Sequence, residues 1–118
     1  MSILAQQGPI ALFVAFAIMH ALADFPLQGD YLAHQKSRKH ATTRSDWIVA
    51  LSAHSLIHAG GVWLISGSFA IAIAELILHS LIDMGKGEEK FGIAMDQLFH
   101  LLCKLAYVLV LANGLGVR

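Results

Sequence analysis

The chain has 118 residues, of which 57% are hydrophobic and only 14% charged. A soluble domain carries about 25% charged residues, so this composition leaves too little charge to wet a surface. Intrinsic disorder, which needs low hydrophobicity and high net charge, is excluded too. Eight Lys and Arg balance eight Asp and Glu, which argues against a nucleic-acid binder. The lone cysteine, Cys103, can build neither an internal disulfide framework nor a CxxC metal knuckle. A mean hydropathy of +0.65 fits an all-α integral membrane protein, a single domain over residues 1–118.

Four apolar runs approach the roughly 20 residues needed to cross a hydrocarbon core. The first runs from Ile3 to Phe25; no basic segment precedes it, so a removable signal peptide is not expected. Pro26 should end it at the preceding residue, with Gln28 and Asp30 in a loop or re-entrant turn beyond. His34 and His40 fall in the basic loop that follows and should be solvated. The second run, 46–65, has Asp46 as its expected N-cap, and Gly60-Gly61 permits a close helix contact. Ser66-Gly67-Ser68 is so short a link that the third run, 69–84, must be its antiparallel neighbour. The fourth, 91–112, stops at Asn113-Gly114, a helix C-terminal signal. The expected architecture is therefore a bundle of four transmembrane helices.

Orientation follows from the distribution of basic residues. Lys36, Arg38, Lys39 and Arg44 lie between the first two runs, and Lys86 and Lys90 between the last two, against Arg118 alone on the other side. Both basic loops are expected in the cytoplasm and both termini outside, in an inner (cytoplasmic) membrane. Lys86 and the Lys36–Lys39 stretch would sit among phospholipid headgroups, where membrane anchoring accounts for them.

Ionisable groups inside membrane helices are costly, and each one needs a reason. Apart from Asp46, the runs hold nine: His20 and Asp24; His54 and His58; Glu75, His79 and Asp83; Asp96 and His100. Every set is spaced by four, which puts its members on one helix face a turn apart, and Lys104 extends the last face by one more step. Cys103 falls off that face and reads as a packing residue. At about 1.5 Å per residue, all four sets lie at one depth, in the cytoplasmic half of the bilayer. Four polar faces at one depth point to one convergent site. His20-Ala-Leu-Ala-Asp24 also echoes His79-Ser-Leu-Ile-Asp83, each followed by a lysine-bearing loop and a second polar helix. Such a tandem two-helix repeat would have its axis along the membrane normal.

Five histidines and four carboxylates, without a thiolate, suit a divalent metal: zinc first, with manganese or iron as alternatives. The expected ligands are His20, Asp24, His54, His58, His79, Asp83 and His100. No HExxH motif is present, so a standard metalloprotease is not supported. Glu75 and Asp96 are the candidate general bases for a water activated by the metal. Lys104 would neutralise surplus carboxylate, meet an anionic group, or simply pair with Asp96 or His100. The chemistry expected is hydrolysis of a lipid or phosphoester reached from lipid or cytoplasm. A proton or metal-ion transporter is the first rival, since relays use the same residue types. Interhelical polar packing alone and a membrane adaptor or inhibitor acting through the basic loop are the others. Four short helices enclose little volume, so a homo-oligomer is also considered.

The segments His20-Ala-Leu-Ala-Asp24-Phe25-Pro26-Leu27-Gln28, His79-Ser-Leu-Ile-Asp83 with Lys86, and Asp96-Gln97-Leu98-Phe99-His100 together resemble a bacterial and phage family of small membrane proteins, domain of unknown function 3307. The resemblance covers nearly the whole chain and implies membrane location and a shared polar site, without an activity. A looser similarity, in residue types alone, links the chain to predicted membrane-bound metal-dependent hydrolases.

Overall fold

The computed structural model describes residue 3 and residues 5–114. Arg118 and the ends of both termini, on which part of the orientation argument rests, lie outside the described residues. After a 3-10 turn at Ala5–Gln7 come five α-helices: α1 (Pro9–Asp24), α2 (Gly29–Gln35), α3 (Arg44–Ser66), α4 (Phe69–Gly87) and α5 (Ile93–Ala112). The described residues contain no strand.

Local chemistry sets the boundaries. Pro9 opens α1, where its missing N–H is not needed. Pro26 stops α1 at Asp24, with the Phe25 N–H still bonded to the Ala21 carbonyl at 3.1 Å. Gln28 lies in the turn expected after Pro26, and Asp30 falls in the first turn of α2, which bends 90° away from α1. Gly29 makes that corner at φ +68°, a left-handed conformation that only glycine adopts without strain. The N-cap of α3 is Thr43 rather than Asp46: its Oγ1 accepts from the Asp46 N–H at 3.0 Å and donates to Asp46 Oδ2 at 2.7 Å. Asp46 thus sits three residues inside, where its charge favours the helix N-terminus. Gly67 closes α3 at φ +72°, and Ser68 caps α4 by accepting from the Ile71 N–H at 3.2 Å.

The four long helices pack as a ring, α1 on α3, α3 on α4, α4 on α5 and α5 on α1, with α2 lying against α3. The bundle measures 43 × 23 × 23 Å. Gly61 of α3 faces Met19 of α1 so closely that a Cβ there would strike the Met19 side chain. The polarity is inside out. Ile10, Val14 and Ile18 of α1, Leu56 and Leu64 of α3, Ile77 and Leu81 of α4, and Leu102 and Leu109 of α5 are exposed, while the histidines and carboxylates of the four polar faces are buried or nearly so. By length and composition, α3 and α5 can each cross a membrane, and α1 with α2 makes a third candidate if the bent pair is one broken span.

The two ends of the bundle differ. One holds an apolar core of Leu12, Phe16, Val62, Ile65, Ile71, Val108 and Leu111, with Tyr107 at its edge. Cys103 packs against that core, as its place off the polar face implies. The other end carries the basic loops, and they are stapled together. Ser37 Oγ donates to the Gly87 carbonyl at 3.2 Å, Arg38 pairs with Glu88, and Lys39 and His40 approach Glu89 at 3.7 and 3.8 Å. The Arg38 guanidinium, by its hydrogen bond, holds the Glu88 carboxyl below its ordinary pKa. That pairing is therefore present at neutral pH and lost as pH falls through the lowered value.

Candidate metal centre

All nine ionisable residues of the four polar faces converge between the apolar core and the basic loops. Each reaches there because its helix turns one face inward: α1 offers His20 and Asp24, α3 His54 and His58, α4 Glu75, His79 and Asp83, and α5 Asp96 and His100. The five imidazoles are nearly or completely buried, at 4% exposure or less. His58, His79 and His100 stack in a column, with ring centroids 3.8 and 4.2 Å apart along it.

Two aspartates organise the cluster. Asp24 Oδ1 lies 2.8 Å from His58 Nε2 and 3.2 Å from His54 Nε2, while its Oδ2 lies 3.1 Å from His20 Nε2. Asp83 Oδ1 lies 3.1 Å from His100 Nε2, and its Oδ2 faces His79 Nε2 at 3.3 Å and His54 Nε2 at 3.4 Å. The two HxxxD segments thus make equivalent contacts, each aspartate meeting a histidine of the helix that follows in the bundle. Asp96 Oδ1 completes this side, 3.3 Å from His100 Nε2.

Three sets of ligand atoms lie close enough to share an ion, each set within 4.8 Å: Asp24, His54, His58 and His79; His20, His79 and His100; Asp83, Asp96 and His100. His79 links the first set to the second, and His100 links the second to the third. The sets are therefore adjoining parts of one centre. Zinc held at about 2.0–2.1 Å from tetrahedral ligands brings them to roughly 3.4 Å of one another, so only small side-chain shifts are required. The unsatisfied atoms agree. His79 Nε2, Asp83 Oδ2 and Asp96 Oδ1 are buried without a hydrogen bond, although the first two are only 3.3 Å apart. Buried polar atoms rarely remain unpaired, and lone pairs left this way suit a cation.

Glu75 stands apart. Its Oε1 accepts from Lys104 Nζ at 2.6 Å and lies 3.1 Å from His79 Nδ1, and its Oε2 accepts from Tyr107 Oη at 2.7 Å. Lys104 therefore pairs with Glu75 and not with Asp96 or His100. With Nδ1 so engaged, His79 turns Nε2 into the cluster.

Three contributors were not assigned to the site from the sequence. Gln97 donates to Asp24 Oδ2 and Asp96 Oδ2, both at 3.0 Å, and its Oε1 lies 3.1 Å from His20 Nε2. Lys36 reaches in from the end of α2, 3.4 Å from His54 Nε2 and 3.5 Å from Asp83 Oδ2. Tyr107 seals the deep end. Lys36 lies outside the spans, but Gln97 precedes His100 by three and Tyr107 follows Lys104 by three, so both were legible by helical spacing. Gln28 supports the site indirectly by donating to the Asp24 carbonyl at 3.0 Å. His40 is exposed, as its place in the basic loop implies.

Comparison with known proteins found no match among curated proteins or solved structures. A family model described as "Protein of unknown function (DUF3307)" matches residues 12–115, a stretch that contains every residue of the centre, and the chain belongs to that family.

Proposed function

We propose that the chain is a four-span membrane protein whose buried centre binds one or two divalent metal ions and hydrolyses a phosphoester or lipid at the cytoplasmic face. The observation that carries this reading is the linked run of ligand sets sharing His79 and His100, in which Asp96 is the one member left free of the ion to act as base. Zinc suits the nitrogen and oxygen donors best, with manganese or iron as alternatives. His20, Asp24, His54, His58, His79, Asp83 and His100 are the proposed ligands.

Four spans are favoured by how α4 disposes of its charge. Glu75 and Asp83 are buried in the bundle, Lys86 lies at the helix end, and the outward face is Ile73, Ile77, Leu78 and Leu81. Lipid would meet only the apolar residues. The positive-inside rule then places the basic loops, and the centre next to them, on the cytoplasmic side of an inner membrane.

A bound ion would lower the pKa of water toward 7 and polarise the scissile bond. The residues do the rest. Asp96 Oδ1, close to His100 and unbonded, takes the proton from the attacking water. As the water oxygen bonds to the phosphorus or carbonyl carbon, the ester bond breaks, and the same proton passes to the leaving oxygen. Glu75 is proposed as the orienter of His79 rather than a base, because both of its oxygens are engaged. Gln97 Nε2 donates to both Asp24 and Asp96 and so fixes the two carboxylates.

A proton or metal-ion path is the second reading, favoured by the run of polar groups from Lys36 to Tyr107. Conduction needs such lining across the whole membrane, whereas here Leu12, Phe16, Val62, Ile65 and Leu111 fill the far half. The deciding experiment is a hydrolysis screen of phosphomonoesters, phosphodiesters and acyl lipids with metal-loaded protein in nanodiscs. Turnover lost by at least a hundredfold in Asp96→Asn at unchanged metal content supports the enzyme. Turnover unaffected by that change, or none on any substrate class beside metal flux into liposomes, overturns it.

A further inference from the structure

A cavity of about 200 Å³ lies beside the stapled basic loops, its polar lining Lys36, Ser37, His40, Asp83, Lys86 and Glu89. It reaches the metal-ligand cluster at Asp83 from the side of the basic loops. We infer that this cavity is the subsite for the phosphate of a phosphomonoester, held by the Lys36 and Lys86 ammonium groups against the centre. The inference rests on the hydrolase reading and deepens it by naming the substrate class.

Charge and size both support a phosphate. Lys36 is 15% exposed and sits between the cavity and the cluster, at loose distances of 3.4 Å to His54 and 3.5 Å to Asp83. Contacts that long exchange readily for a tighter anion. Lys86, on the last turn of α4, makes no ion pair among the described residues, so its charge is unspent. Glu89, in the lining, is already approached by Lys39 and His40. Two ammonium groups match a phosphate dianion. The volume falls below the roughly 300 Å³ at which drug-sized pockets begin, which suits a phosphate with a few waters and not an acyl chain. Any chain attached to the phosphate must therefore lie outside this cavity.

The test is binding of inorganic phosphate to detergent-purified protein by titration calorimetry, with metal content measured on the same samples. Lys36→Met and Lys86→Met are compared with Lys39→Met, whose ammonium lies outside the cavity. The expected result is phosphate affinity at least tenfold weaker in each of the first two variants, unchanged in the third, with metal content equal in all. Metal-loaded protein that binds no phosphate, or binds it equally in all variants, overturns the subsite while leaving the metal reading intact. Lysine-dependent phosphate binding by metal-free protein supports the subsite and overturns the hydrolase. Nanodiscs identify the source of the phosphate: inorganic phosphate binding displaced by phosphatidic acid but not phosphatidylcholine shows a lipid headgroup in the subsite. Binding unaffected by either lipid shows a soluble phosphomonoester, and equal displacement by both overturns recognition of a monoester.

Discussion

Glu75 shows how a single residue would govern the proposed metal centre without touching the ion. Buried among the apolar side chains of α4 and α5, it accepts from Lys104 and Tyr107 and meets His79 Nδ1. A partner of this kind fixes both the tautomer and the direction of a ligating imidazole. Glu75→Gln should therefore lower metal affinity about 10- to 100-fold, the usual loss for such partners. Lys104→Met should behave differently, destabilising the fold by about 3–5 kcal/mol because it strands a buried carboxylate. The double variant Glu75→Gln/Lys104→Met should recover most of that stability without recovering affinity. Thermal unfolding beside a competitive zinc titration separates these outcomes, and wild-type stability in Lys104→Met would contradict the buried pair.

At the scale of the helices, precision depends on how closely α1 and α3 approach, since Asp24 must reach both His54 and His58. Gly61 permits that approach, since the three atoms nearest to a Cβ there all belong to the Met19 side chain. The nearest atom is Met19 Cγ, so the whole unbranched side chain must change rotamer to admit one methyl group. Gly61→Ala should thus keep metal binding, whereas Gly61→Leu should overpack the contact, cost about 1–3 kcal/mol and weaken binding. Metal affinity of the two purified variants checks this, and equal affinity would show that the contact does not set the site. The periodicity of four carried most of this level: each inward face was readable from the residues alone. The short α2 was not. Seven residues beginning at a glycine carry no helical period to read, and the 90° corner at Pro26 and Gly29 depends on packing against α3. Gln35 secures that packing through paired contacts with Thr42, accepting from its N–H at 2.7 Å and donating to its hydroxyl at 2.9 Å. Lys36 escaped assignment for the same reason, since its place in the cavity follows from the bend. Gln97 escaped it because, although it precedes His100 by three, an uncharged amide gains its role only when α1 packs against α5.

For the molecule as a whole, the polar interior and apolar exterior fit the proposed bilayer setting, and the proposed topology has separate consequences. In a Cys103→Ala background, Thr42→Cys and Lys90→Cys should react with an impermeant maleimide from the cytoplasmic side. Phe69→Cys and Asn113→Cys should react from the opposite side. Labelling of Lys90→Cys and Asn113→Cys from one face would mean that α5 does not cross. The centre itself was legible from sequence as nine ionisable residues on four faces, because helical spacing and depth are properties of each segment alone. How those residues divide among ligand, orienter and base depends on distances between helices. The most direct measurement of the central claim is elemental analysis of purified protein from cells supplied with zinc, manganese and iron, beside His79→Ala/Asp83→Ala. Helical circular dichroism on both samples confirms that they are folded. The account requires about one or two divalent ions per chain, as in other helical bundles with inward carboxylates and histidines, and their loss in the variant. Folded wild-type protein without metal would contradict it.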